Sequence, residues 1–169
     1  MPNAVTLPLL LKQLGLPNMY ANWEEEANKA EKHHWTYAQY LTALSDKEAA
    51  HRQQKRIQRH IKEAKLPPGK TLDAFDFTMS KSINTAQITA LAENTSWVKQ
   101  ANNVVIFGPS GVGKTHLAAA MGYRMIEQGI RTLFMQTTAL VQKLQQARTE
   151  FKLPEVIAKL ARYPLLILD

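Results

Sequence analysis

The spacing of hydrophobic positions changes once along this chain, and the change divides it. Up to about residue 66 apolar residues recur at helical intervals. Leu7, Leu10, Leu11 and Leu14 stand three and four apart, which places them on one face of a helix. Gly15-Leu16-Pro17 ends that helix, and Pro17 suits the first turn of the next, where its missing N–H costs nothing. Thr36 with Gln39, and Ser45 with Glu48, both have the capping-box form that opens a helix. Pro67-Pro68-Gly69 is a firm stop and marks a domain boundary. Residues 70–102 read as a connector carrying Leu72-Asp73-Ala74-Phe75-Asp76-Phe77, followed by a short helix that Asn84 starts, with Gln87 three residues on.

From residue 103 strand and helix patterns alternate. Val104, Val105, Ile106 and Phe107 are apolar without alternation, the pattern of a buried parallel strand. A helix follows over about 114–128 and ends at Gly129 in the usual left-handed cap. Residues 131–136 predict a second strand, 138–150 and 155–162 two helices, and Tyr163-Pro164 a break. Leu165-Leu166-Ile167-Leu168-Asp169 predicts a third strand ending in an acid. The fold class is therefore α/β: an all-helical region at 1–69, a connector at 70–102, and a parallel-sheet region at 103–169.

Between the first of these strands and its helix lies Gly108-Pro109-Ser110-Gly111-Val112-Gly113-Lys114-Thr115. This is the phosphate-loop pattern, two glycines at fixed spacing followed by Lys-Thr. The glycines let successive backbone N–H groups turn inward on phosphates, and the helix behind points its positive dipole end at them. Lys114 is the residue that would reach the β- and γ-phosphates, and Thr115 the one whose hydroxyl would meet Mg²⁺. Asp169, at the carboxyl end of a neighbouring strand, has the place of the acid that holds Mg²⁺ in such proteins, usually through water. Any buried strand can end in Asp, so this second motif gains its weight from the first.

The chain has 169 residues, 45% of them hydrophobic, enough for a real core. It has no cysteine, which excludes disulfides and thiolate metal or redox sites. No apolar stretch approaches the length that spans a bilayer, and no signal peptide pattern opens the chain, so a cytoplasmic place with no membrane partner is expected. The formal net charge of +7 favours polyanionic partners.

That charge is concentrated. On a helical wheel Arg52, Lys55, Arg56, Arg59 and Lys62 share one face, while Ala50, Ile57, Ile61 and Ala64 fall nearly opposite. A cationic stripe of this kind binds phosphate backbones through counterion release; the plainer alternative is a solvated face that keeps the protein soluble. His33, His34, His51 and His60 lack acids at ligand spacing and read as surface histidines. Trp23, Trp35, Tyr37 and Tyr40 could stack bases, but core packing between small helices is the simpler reading.

Several of these segments together resemble a known family. Leu7-Pro8-Leu9-Leu10-Leu11-Lys12, Tyr37-Ala38-Gln39-Tyr40-Leu41, the basic helix, Phe75-Asp76-Phe77, and the phosphate loop continued by His116-Leu117-Ala118 are similar to IstB-like proteins, the ATP-binding helpers of bacterial insertion sequences. These are AAA+ ATPases related to DnaC-type helicase loaders, which share the loop and His116-Leu117-Ala118. The resemblance implies a P-loop AAA+ core, ATP and Mg²⁺ as ligands, and Phe75 and Phe77 near the adenine. It also implies self-association into an AAA+ oligomer on double-stranded DNA, and delivery of that DNA to a cognate transposase. A P-loop ATPase needs a group to orient the attacking water and often an arginine to neutralise charge. Neither is evident here, so the expectation is the front part of a longer protein, one that binds ATP with little or no turnover. A helicase loader, or a non-hydrolysing module for DNA binding and oligomerisation, remain the alternatives.

Overall fold

The computed structural model describes residues 6–79 and 83–169. Among the described residues there are eight α-helices and one two-stranded sheet, in two compact units that divide between Arg56 and Ile57.

The first unit is helical. Helix α1 covers Leu7–Gln13 and α2 covers Pro17–Lys32, with Pro17 at its start. Helix α3 covers Tyr37–Ala64, a 28-residue helix that continues into the second unit. Its first turn is a reciprocal capping box: the Thr36 N–H donates to Gln39 Oε1 at 2.7 Å, and the Gln39 N–H donates to Thr36 Oγ1 at 3.2 Å. The second expected box does not exist, because Ser45 and Glu48 lie inside α3. Glu48 instead caps another helix. Leu16, at the N-cap of α2, has no side chain that can accept a hydrogen bond. The Glu48 carboxylate supplies the acceptor from across the unit, taking the Asn18 and Met19 N–H groups at 2.8 and 3.0 Å. Arg52 holds the other carboxylate oxygen at 2.9 Å and donates to the Gly15 carbonyl at 2.9 Å. A second buried acid, Glu26, accepts from Lys29 at 2.9 Å and Lys47 at 2.6 Å, which ties α2 to α3.

Apolar cover is thinner here than the leucine spacing suggests. Leu11 is buried, but Leu9, Leu10 and Leu14 are exposed. Tyr37, expected in a core, is 94% exposed, whereas Tyr40 is half-buried and donates its hydroxyl to the Trp23 carbonyl.

The second unit is α/β. Strand β1, Thr132–Met135, pairs in parallel with β2, Leu165–Leu168, with Thr132 opposite Leu165 and Met135 opposite Leu168. Between them run α7, Thr137–Thr149, and α8, Leu153–Leu160. Ahead of them come α4, Thr85–Glu93, capped by the Asn84 side chain on the Gln87 N–H, then the short α5, Ser96–Lys99, and α6, Lys114–Glu127.

Its core joins Ala64 from the end of α3, Leu66 just beyond it, Ala119 and Ile126 from α6, Phe134 from β1 and Ile167 from β2, with Ile57 and Ile61 packed against them. The expected boundary at 67–69 therefore lies inside this unit, because the last two turns of α3 bury their apolar face here. Burying one such side chain contributes roughly 1.5–3 kcal/mol. His60, expected on the surface, is buried because 57, 60, 61 and 64 share that face. Ala50, assigned to the same stripe, is exposed in the first unit. Gly122 lets α6 close on the core: a Cβ there would stand 2.8 Å from Ile167 Cδ1 and 2.9 Å from Leu66 Cδ2.

The strand expected at 104–107 does not join the sheet. Val104, Val105 and Ile106 instead line a cleft of about 580 Å³ together with residues 165–168. A strand needs a ladder partner and cover for its side chains, and here Val105 and Phe107 are 67% and 87% exposed.

Glu26 and Glu48 make the helical unit sensitive to acid. Hydrogen bonds from Lys47 and Lys29 hold Glu26 below the usual carboxylate range. Burial pushes Glu48 up, but its bonds from Arg52 and from the Met19 and Asn18 N–H groups outweigh that and hold it low. Carboxyls depressed in the folded state contribute stability that is present above the unfolded value, about 4.3, and is lost as pH falls through the folded values. The thermal midpoint of the 169-residue chain is expected to fall as pH drops below about 4.3, and Glu48→Gln to flatten that dependence. Circular dichroism melts across pH 2–6 check this.

Candidate nucleotide-binding site

Helix α6 begins with its donors uncovered. Gly113 is its N-cap, in the left-handed region at φ 91°, and among the described residues no side-chain cap bond closes the first turn. Gly113 is required twice over. A side chain would be strained at that φ, and its Cβ would lie 2.7 Å from Phe75 Cε2 and 3.2 Å from Phe75 Cζ. Lys114 spans the loop, donating from Nζ to the Pro109 carbonyl at 2.7 Å. Residues 108–113 and Lys114 thus stand at the N-terminal end of α6, where first-turn N–H groups and a cation favour an anion.

The acid expected near the loop is there. Thr115 Oγ1 donates to Asp169 Oδ1 at 2.8 Å, across 54 residues of sequence. Asp169 is held at the carboxyl ends of both strands: its N–H donates to Met135 O at 3.1 Å, and its carbonyl accepts the Thr137 N–H at 2.8 Å. A hydroxyl and a carboxylate meeting at the start of α6 are a hard-oxygen donor pair suited to Mg²⁺. Among the described residues no cluster of three or more His, Cys, Asp or Glu side chains could hold a metal by itself, so any cation here would draw its remaining ligands from phosphate and water.

The Phe75 ring rests on this loop. It packs edge-on to Phe77, with centroids 4.8 Å apart, and edge-on to His116 at 5.1 Å. Phe77 reaches the site only through Phe75 in these contacts, and it opens a 3-10 turn, Phe77–Met79. The connector is fastened along α6 by side chains that no spacing pattern announces. His116 Nε2 bonds the Thr71 carbonyl at 2.8 Å, Tyr123 Oη donates to Pro67 O at 3.3 Å, Arg124 reaches Asp73 Oδ1 at 3.3 Å, and Gln128 donates to Ala92 O at 2.7 Å. These partners lie 36 to 56 residues apart.

The basic stripe divides into two kinds of residue. Arg52 is committed to Glu48 and Gly15, and Arg56 donates to Gln53. Lys55, Arg59 and Lys62 are exposed, and among the described residues none has an ion-pair partner.

A glycine loop opening a helix, beside parallel strands with an acid at their carboxyl ends, is the arrangement of a P-loop nucleotide-binding protein. The sequence profile of the IstB-like ATP binding protein family matches residues 9–169, and the chain belongs to that family. It is 47% identical, over 96% of its length and 55% of the relative's, to a protein of Sinorhizobium fredii described as a candidate insertion-sequence ATP-binding protein. It is 36% identical to the corresponding IS5376 protein of Geobacillus stearothermophilus, over 93% of this chain and 62% of that one. The IS21 protein of Pseudomonas aeruginosa is 34% identical over 96% and 61%. The chain thus spans somewhat more than half the length of these curated relatives. No described helix is long and apolar enough to cross a membrane.

Proposed function

We propose that residues 108–115 bind the phosphates of ATP with Mg²⁺, and that the protein serves an insertion sequence as its ATP-binding helper, assembling as an AAA+ oligomer on double-stranded DNA and delivering it to the cognate transposase. The observation that carries the nucleotide reading is the meeting of Thr115 and Asp169 at 2.8 Å beside the uncapped start of α6. In this reading Lys114 exchanges the Pro109 carbonyl for the β- and γ-phosphates. The N–H groups of Gly111, Val112, Gly113 and the first turn of α6 take phosphate oxygens, while Gly108, Pro109 and Ser110 shape the loop. Thr115 and Asp169 hold Mg²⁺, which neutralises phosphate charge. His116 lies just behind, and Phe75, with Phe77 at its edge, offers the base an aromatic surface. Family membership supports both the ligand and the setting: the similar proteins are described as belonging to insertion sequences.

Lys114→Ala removes a charge-assisted contact worth about 1.5–3 kcal/mol. ATP affinity measured by calorimetry is expected to fall about tenfold or more with the thermal midpoint retained. Unchanged affinity would remove the loop from the account.

For DNA, the supporting observations are the net charge of +7 and the exposed cations of α3. Contacts to phosphates are indifferent to base sequence. Replacing Lys55, Arg59 and Lys62 by Gln is therefore expected to lower the slope of log affinity against log salt by about 0.9 for each phosphate that is no longer neutralised. Stability should change by no more than about 0.5 kcal/mol per site. Arg52→Gln behaves differently. It takes a partner from buried Glu48 and is expected to cost roughly 1 kcal/mol of stability. Salt titrations of duplex binding and denaturant melts measure both, and a triple variant with the wild-type slope would place the DNA contact elsewhere.

A further inference from the structure

The ring of Phe75 owes its place to His116. A carbonyl can only accept, so His116 Nε2 carries the proton that bonds Thr71 O at 2.8 Å. That bond pins the connector at residue 71. The Phe75 N–H then donates to Leu72 O at 3.1 Å, closing a turn that swings the Phe75 ring back towards the loop. There the ring meets the edge of the same histidine at 5.1 Å and settles on the bare backbone of Gly113. His116 lies one helical turn beyond Gly113 and two residues beyond Lys114, so one short stretch of α6 carries both the phosphate-facing groups and the mount for the aromatic ring.

We propose that His116 is a positioning residue for base recognition: it sets the distance between the Phe75 ring and the phosphate loop, so that one adenine nucleotide engages both. This deepens the nucleotide reading above and rests on it. The His116 imidazole acts through Phe75 and not by touching phosphate or base, and the His116 backbone N–H stays with the first turn of α6 in every variant. The other ties along α6, Tyr123 to Pro67, Arg124 to Asp73 and Gln128 to Ala92, do not pass through His116, so its loss frees the ring without freeing the whole connector.

The test is calorimetry of the 169-residue chain with ATP and with inorganic tripolyphosphate, both in Mg²⁺, for the wild type, Phe75→Ala, His116→Ala, His116→Phe and the double Phe75→Ala/His116→Ala variant. His116→Phe keeps ring volume beside Phe75 and removes only the N–H donor, which covers the case in which His116→Ala fails to fold. Loss of a stacked base corresponds to about a tenfold weakening. His116→Ala and His116→Phe are expected to weaken ATP by about that factor and to leave tripolyphosphate within about twofold. In the Phe75→Ala background the same change at His116 should have no further effect on ATP. Equal weakening of both ligands, unchanged ATP affinity, or an undiminished effect in the Phe75→Ala background each overturns the proposal while leaving the phosphate site standing. A wild type that binds ATP no better than tripolyphosphate removes base recognition altogether, and one that binds neither overturns the nucleotide reading as well.

Discussion

The seat of the Phe75 ring on the backbone of Gly113 is the constraint around which the second unit is arranged. Gly113 must be left-handed to turn the loop into α6, and it must lack a side chain to admit the ring. With the connector pinned at the N-terminal end of α6 by His116 and the ring seated on Gly113, the ties further along the helix fall into place by helical geometry. The opposite side of α6 is then free to face the core, where Gly122 again removes the one Cβ that would hold Leu66 and Ile167 away. One helix therefore carries the N–H groups that follow the loop, a polar row towards the connector and an apolar row towards the sheet and the end of α3.

The helical unit depends on charge where the second depends on shape. Its apolar cover is partial, with several leucines of α1 exposed. Two buried acids compensate for this. Glu48 closes the start of α2 and Glu26 binds α2 to α3, and both carry their cationic partners on the same helix pair. A buried carboxylate is costly unless its lone pairs are filled, and here each has at least two donors.

Local and periodic features were legible in the sequence. The phosphate loop, the box at Thr36 and Gln39, the Asn84 cap, the Pro17 start, and the strands and helices from 131 onward all rest on neighbours within a few residues. What failed depended on distant partners. Ser45 and Glu48 have capping spacing, yet Glu48 serves a helix about thirty residues earlier. His60 looks like one more charged-face residue until the apolar face beside it is buried. Residues 104–107 have strand composition, but a strand exists only where another offers it a ladder. The meeting of Thr115 with Asp169 was readable because two motifs, each with a known place in a parallel sheet, pointed at one spot; the meeting of His116 with Thr71 had no such pair of motifs.

The central claim is that the loop and the connector form one nucleotide site built on the first turn of α6. Amide hydrogen exchange with and without ATP and Mg²⁺ tests it most directly. The account predicts that protection rises together in residues 108–117 and 71–77. Protection confined to other segments, or a loop that responds while the connector does not, would contradict it.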